Sequence, residues 1–571
     1  MSDITAPATT VTLAAGAEVA LAAGAEVALV AGTEVALAAG TEVALASGAA
    51  VIIQGTQDGG TTVEVPVTSD GHLEVAIHEP TDAFGSVRVT NATPRVQIDA
   101  VYGLVGTDTE SLLGVPSGTA TTTNNMFSVT CGTSVGGYGV IRSRRLIRYR
   151  PGQGVLLRFT TRFPTAGVAN CQLFGGALNA EDALFVGYSG TSFGFMRRIA
   201  GATCIVRLTV TVGAGAAETV TVTLNGAAYT LATGGALSTT ALAEAIAERA
   251  GTYYDAGTQM GWSSGVSPTS NGATVTFIQR APAVAAGAFT LTSTGTAAGT
   301  FAILQAGVAN DSSTGFVAQT AWNVDRLNGA GGALNPSGIL LDPSKLNIWE
   351  IKYGYLGAAA IELRYMARNG EFNTVHRILY PNSATIPNFR NPSLRMGWIA
   401  ASLGSTTDLT TQGASAAGFV DGDVLSVRDP FTAKNFNYSA SGTEYVALAI
   451  RSRGEFATVL NQRELDLITL VAACETNSRL IVVRLVLNPT MTGTVNWAYV
   501  DQSNSCVEYA TPTNVAATNG REVAATVTGT TTTIDLHDLD LRMEPGDVLA
   551  VCVATVSSTA SAALALNWLE Q

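Results

Sequence analysis

Residues 139–163 read GVIRSRRLIRYRPGQGVLLRFTTRF, and this stretch decides the fold class. Two runs rich in branched and aromatic residues flank a Pro-Gly-Gln-Gly turn, the signature of strand, turn, strand. The same punctuation continues outward in ALFVGYSGTSFGFMRR (183–198), NIWEIKYGYLGAAAIELRYMA (347–367), TVHRILYP (374–381) and SLRMGWIAASLG (393–404). Sixty glycines, with Gly, Asn or Ser breaks about every ten residues, extend the pattern along the chain and predict an all-β protein.

One stretch has a different texture. Residues 205–309 carry a hairpin signal at Asn225-Gly226, a helical run TTALAEAIAERAG at 239–251 with Ser238 or Thr239 as its cap, and strands at 273–279 and 288–293. A helix bounded by strand pairs is a small α+β module. It is expected to interrupt one β-sandwich made of residues 124–204 and 310–420, since insertions are tolerated where both ends lie close together. Residues 421–571 form a second sandwich, with runs such as YVALAIRSR (445–453) and RLIVVRLVLN (479–488).

Toward the N-terminus the pattern becomes a repeat. Residues 12–51 are five octads: TLAAGAEV, ALAAGAEV, ALVAGTEV, ALAAGTEV and ALASGAAV. Ala, Leu and Glu favour helix. Yet eight residues at about 100° each rotate the pattern by about 80° per repeat, and a glycine in each copy costs about 1 kcal/mol in a helix interior. An even period keeps every copy on one face of a strand. One chain's octads expose too much strand edge to stand alone. Residues 1–54 are therefore expected to form a triple-stranded β stalk or attachment arm in a homotrimer, with a helical or disordered arm as the alternative. Residues 55–123 follow as a hairpin and linker: Val63, Val65 and Val67 lead to a turn at Asp70-Gly71, and Leu73, Val75 and Ile77 return.

Charge and composition narrow the function classes. Net charge is −13, and residues 1–100 hold twelve acids against Arg88 and Arg95, a balance of −10. Arg142, Arg144, Arg145, Arg148, Arg150, Arg158 and Arg162 then follow with no intervening acid. A phosphate-binding strip is one reading; the other is a strand whose arginines meet water or acids of a neighbour. Overall acidity argues against nucleic acid as a partner. No run reaches the roughly 18–20 apolar residues of a membrane helix. MSDITAPATT lacks the basic and apolar regions of a secretory signal, so synthesis is expected in the cytoplasm. Cys131, Cys171, Cys204, Cys474, Cys506 and Cys552 show no metal spacing and read as reduced, buried small hydrophobes.

Four histidines, His72, His78, His376 and His537, are the imidazoles available near neutral pH. Each sits in strand-like sequence without a nucleophile elbow, which points to packing over catalysis. Asp535, Asp538, Asp540, Glu544 and Asp547, or Glu181 and Asp182, are calcium candidates without a known loop spacing, better read as solvated turn residues. Trp322, Trp349, Tyr353, Tyr355, Phe389 and Trp398 are able to stack on a sugar ring, but aromatics in strands are more often core. These readings name no catalytic, metal or cofactor residue.

The strings YRPGQGVLLRFTTRF (149–163), NAEDALFVGYSGTSFGFMRR (179–198), AQTAWNVDRLNG (318–329), LDPSKLNIWEIKYGYLG (341–357), VHRILYPN (375–382), GWIAASLGSTTDLTTQGASA (397–416) and the closing MEPGDVLAVCVATV (543–556) and ALNWLEQ (565–571) resemble structural proteins of tailed bacteriophages and some large DNA viruses. The similarity covers about residues 124–571. It implies a virion fibre, spike or baseplate component and carries over no active site. The octads are similar in period and composition to the triple-stranded helix of the phage cell-puncturing needle, but Val19 and Gly24 are not in its Val-x-Gly spacing. The class is kept and the needle is not.

Together these features predict a non-enzymatic, homotrimeric virion protein, without cofactor or membrane insertion, that contacts other virion proteins and a host-surface glycan or protein. The alternatives are a capsid decoration or head fibre, a tail-borne polysaccharide-degrading enzyme, and a bacterial surface adhesin.

Overall fold

The computed structural model describes residues 53–56, 62–65 and 92–570, apart from 114–117, 253–268, 280–283, 309–314, 423–428 and scattered single or paired positions. Met1–Glu79 and Pro80–Gln571 are separate compact units. The chain is all-β throughout its described length except for one α-helix, Thr239–Thr252, and a short 3-10 turn, Gln319–Ala321.

In the first unit Ile53–Thr56 pairs antiparallel with Thr62–Val65, with Ile53 opposite Val65. The sequence reading paired Val63 and Val65 with a strand beyond Asp70-Gly71. The octads, the expected return strand at Leu73, Val75 and Ile77, and His72 and His78 lie outside the described residues.

The second unit holds three modules. Module 1 has a seven-stranded antiparallel sheet in the order Phe316–Ala318, Ser192–Arg198, Ala183–Ser189, Cys171–Leu178, Arg395–Ser402, Tyr138–Ser143, Thr109–Leu113. Its companion has six strands in the order Phe372–Ile378, Ile361–Met366, Asn347–Gly354, Gly154–Thr161, Ser415–Asp421, Ala92–Asp99. The two sheets share one core. Leu157, Phe159, Trp349, Ile351 and Tyr353 reach it from the six-stranded sheet, and Leu173, Leu184, Phe195 and Trp398 from the seven-stranded one. The alternation of Val155, Leu157 and Phe159 inward with Arg158 outward is the period-2 geometry of a strand with one covered face. A smaller sheet of Thr119–Thr123, Met126–Thr130 and Thr410–Gly413 adds Phe127 and Val129 to the same core.

Residues 92–123 therefore contribute three strands where the sequence suggested a linker up to Thr123. All three are edge strands with one paired side. Their polar residues, including Arg95, Gln97, Asp99 and the Thr119–Thr123 run, give them the composition of a connector.

Module 2 enters between neighbouring strands of the seven-stranded sheet, Ser192–Arg198 and Phe316–Ala318. Ala202 and Val308 exchange backbone hydrogen bonds of 2.9 and 2.8 Å, so the insertion closes its own neck. Its helix buries Leu242, Ala243, Ile246 and Ala247, one face at helical spacing, against Val206, Leu208, Val222 and Phe277. Ser238 is the cap: its Oγ accepts the Ala241 amide at 3.2 Å. Asn225 and Gly226 both have positive φ, 50° and 87°, as the hairpin signal required.

Module 3 packs the sheet Asp429–Ala440, Ala560–Glu570, Leu465–Cys474, Thr531–Asp535 against the sheet Ala498–Tyr499, Val507–Ala510, Tyr445–Ser452, Val548–Thr555, Ile481–Leu487, Arg521–Thr528. Ile450, Leu467, Leu470, Val483, Leu485, Val551, Leu566 and Trp568 share the core between them. All six cysteines are buried and unbonded to one another. Among the described residues no helix is long and apolar enough to cross a membrane.

Candidate functional site

The arginine strip marks the most heavily charged buried region. Arg142 lies on Tyr138–Ser143 directly opposite Glu110 of Thr109–Leu113, and the pair closes at 2.6 Å. Arg395, at the start of the strand that pairs with the other edge of Tyr138–Ser143, donates from Nη1 to Ser143 O at 3.1 Å and sits 3.8 Å from Glu110. Its Nη2 lies 3.7 Å from Glu544 of module 3, whose Oε1 accepts the Leu146 amide at 3.2 Å. Arg148 donates to Gln462 O and stands 3.5 Å from Glu464, which also meets Arg542 at 2.9 Å. Arg144 reaches Asp547 at 3.4 Å.

Arg144 and Arg148, with Arg395, thus form one side of a seam between modules 1 and 3, while Arg142 and Glu110 both belong to module 1. Arg142 and Arg148 are only 2% and 8% exposed, which removes them from any phosphate ladder. The acids come from the same chain, not from a neighbour. Arg150 lies outside the described residues. Arg158 and Arg162 face elsewhere: Arg158 pairs with Glu350 at 2.7 Å, and Arg162 donates to Ser344 O and Gln412 Oε1.

A second seam joins modules 2 and 3. Arg451 pairs with Glu508 at 2.6 Å and donates to Ser270 O, while Asn271 Nδ2 donates to Glu508 at 2.6 Å. Arg207 and Arg453 both meet Glu455, at 3.1 and 3.0 Å. Ile205 and Ile278 pack on Leu460 beside them. Arg451 and Arg453 also stack on Trp497 and Tyr499, 4.4 and 4.6 Å from the ring centres.

Electrostatics differ between the acids of the first seam. Burial opposes ionisation of Glu110, but Arg142, Arg395 and Arg144 outweigh it and hold the carboxyl below its ordinary value. At Glu544 burial wins over Arg395, with Glu464 and Asp547 adding like charge, and the carboxyl rises to about 7. Its Oε2 is buried without a hydrogen-bond partner. A carboxyl with a raised folded value binds its proton more tightly when folded. That contribution is present below the unfolded value near 4.5 and is lost as pH rises through about 7. Glu544→Gln is accordingly expected to match the parent near pH 5 and to exceed it at pH 8 by about 1–3 kcal/mol. Chemical denaturation at the two pH values measures this; equal stabilities at pH 8 would contradict it.

The other sequence candidates disperse. Glu181 accepts the Thr203 amide and Gln305 Nε2 and meets Arg390 at 3.2 Å. Asp182 accepts the Arg390 and Asn391 amides and is pushed by burial to about 7. Asp182 ties its strand to a loop of module 1, whereas Glu181 ties module 1 to the neck of module 2 through Thr203 and Gln305. Asp535 accepts the His537 and Asp538 amides of its own turn, and Asp547 accepts the Glu544 amide and Asn488 Nδ2. Asp540 is outside the described residues. Among the described residues no three of His, Cys, Asp and Glu come together as a metal set. His376 is buried, accepts the Asn323 amide at Nδ1, and is pushed by burial to about 4, so it is neutral across the physiological range. His537 is exposed, 3.9 Å from Asp466. Trp322, Trp349, Tyr353, Phe389 and Trp398 are all core, at most 1% exposed, and none is placed to stack on a sugar. Tyr355 lies outside the described residues.

Sequence reasoning missed an open groove on the outer face of the six-stranded sheet. It has a volume of about 450 Å³ and is lined by Gln97, Asp99, Arg158, Thr160, Ile348 and Ser415 among others. A smaller one, about 290 Å³, lies on the seam beside Arg148, Phe456 and Arg463. The signal for the first was faint: Ser415 and Ala417, small residues at successive outward positions, form a trough between longer side chains.

No family model matches the chain, and no curated protein matches it. Among solved structures the chain is similar to "Cellulose induced protein, Cip1", at 12% identity over 57% of this chain and 96% of that one, with a TM-score of 0.24. A likeness of that size carries no argument about fold or function.

Proposed function

We propose that the chain is a non-enzymatic virion structural protein: a homotrimeric fibre or spike, of tail or baseplate type, that projects from the particle and attaches to the host surface. The octads form its triple-stranded β stalk, and the three modules, two of them β-sandwiches, form its broad end. The carrying observation is where the charge lies. Buried Arg148 and Arg395 of module 1 meet Glu464 and Glu544 of module 3, and Glu508 and Glu455 of module 3 take Asn271 and Arg207 of module 2. Breaking such a buried pair is costly, so these contacts resist separation of the modules. A protein that transmits force from a host surface to a particle needs that resistance. Three copies on one stalk then multiply weak surface contacts by avidity, without added chemistry.

Light scattering on a size-exclusion column tests the trimer, with an expected mass about three times 58.6 kDa. Labelled antibody on purified particles tests the location, and labelling at the head in place of the tail would support the head-fibre form. A monomeric mass, or particles that lack the protein, would overturn the proposal.

A further inference from the structure

We infer that the groove on the outer face of the six-stranded sheet is a binding site for a carboxylate-bearing saccharide, with Arg158 as its anchor. The trough follows from register. Ala417 lies between Gln97 and Arg158 on the flanking strands, and Ser415 is paired with Asp99. Ile348 and Thr160, paired on adjacent strands, extend the Arg158 side. Two small outward residues between longer neighbours leave space that a sheet face normally fills. Its volume of about 450 Å³ lies in the range of small-molecule sites.

Arg158 is held as a recognition group is held. Its Nε donates to Glu350 Oε2 at 2.7 Å, and Glu350 is fully buried. The other Glu350 oxygen takes Arg364 Nη1 at 2.6 Å, which locks the carboxylate in place. The guanidinium carbon sits 5.2 Å from the Phe372 ring centre and 5.8 Å from that of Phe419. Nε is committed to Glu350, and among the described residues that is the side chain's one hydrogen bond. Its side chain remains 45% exposed. The two Nη groups form the fork that matches a carboxylate, and the fixed plane removes much of the ordering cost of binding.

The opposite wall selects against a second anion. Asp99 Oδ1 accepts the Val101 amide at 2.9 Å, and its charge repels a carboxylate while accepting hydroxyl donors. A ligand with a carboxylate at one end and hydroxyls at the other fits both walls. Uronic and sialic sugars share that chemistry. The carboxylate follows from Arg158; the choice of a saccharide rests on the attachment reading above.

Titration calorimetry on the full chain tests the site with three probes: a hexuronate trisaccharide, sialyllactose and a neutral hexose trisaccharide. One acidic probe is expected to bind saturably, at least tenfold tighter than the neutral one. Arg158→Gln is expected to weaken that binding at least tenfold. Ala417→Leu keeps every charge but fills the trough, and is expected to abolish binding; it decides the matter if Arg158→Gln fails to fold. Absence of binding by both acidic probes, equal binding of the neutral probe, or parental affinity in a folded variant would overturn the site. Acidic-probe binding by a protein absent from particles would remove the attachment reading and leave the carboxylate site standing. Particle labelling without acidic-probe binding would remove the site alone.

Discussion

Arg395→Ala is expected to lower the unfolding free energy by about 3–5 kcal/mol, the scale for removing one partner of a buried charge cluster. The Arg395 side chain is 5% exposed and stands between two acids, 3.8 Å from Glu110 and 3.7 Å from Glu544. Without it, Glu110 keeps Arg142 at 2.6 Å, but Glu544 loses the nearest opposing charge to an oxygen that already lacks a hydrogen-bond partner. The Ser143 carbonyl also loses its donor. The defect should deepen as pH rises, because Glu544 is then ionised and unpaired. Combining Arg395→Ala with Glu544→Gln should recover part of the loss, since the two side chains share one interaction. Chemical denaturation of the four proteins at pH 6 and pH 8 gives the cycle. Strict additivity at pH 8 would show that Arg395 and Glu544 do not act together.

That cluster also shows what sequence reading reaches and where it stops. The helix at Thr239–Thr252 was legible because Leu242, Ala243, Ile246 and Ala247 fall at helical spacing within one short window. The Asn225-Gly226 hairpin was legible for the same reason, its requirement being local. The arginine strip was visible as charge, but its partners were not. Arg144 meets Asp547 across 403 residues, and Arg148 meets a carbonyl 314 residues on. The sequence was read as one strand running up to the Pro-Gly-Gln-Gly turn, yet the strand ends at Ser143, and Arg144 and Arg148 beyond it meet module 3. The Arg158 groove was less legible still. Its anchor lies within the stretch that decided the fold, but Glu350, Phe372 and Ala417 come from three other strands. Edge strands such as Ala92–Asp99 hid for a different reason: only Val96 and Ile98 of that strand enter the core, too few for an alternating pattern to stand out.

The second large effect lies inside module 1. Trp398→Ala is expected to cost about 3–5 kcal/mol, the range for emptying a buried tryptophan site. Trp398 is fully buried, its ring centre is 5.0 Å from that of Phe127, and its Nε1 donates to Thr160 O at 2.8 Å. The loss therefore combines a cavity with a carbonyl left without its donor. The indole lies directly over Gly413: a Cβ built there would stand 2.1 Å from Nε1 and 2.5 Å from Thr160 O. Gly413→Leu alone is thus a severe overpacking change, at least the usual 1–3 kcal/mol. In the Trp398→Ala background the added side chain enters the space that the indole vacated. The double variant should be more stable than the sum of the single losses predicts, by about 1–3 kcal/mol of coupling. A double variant as unstable as that sum would mean that the core closes over the missing indole, and that Gly413 is set by the Thr160 backbone and not by the ring.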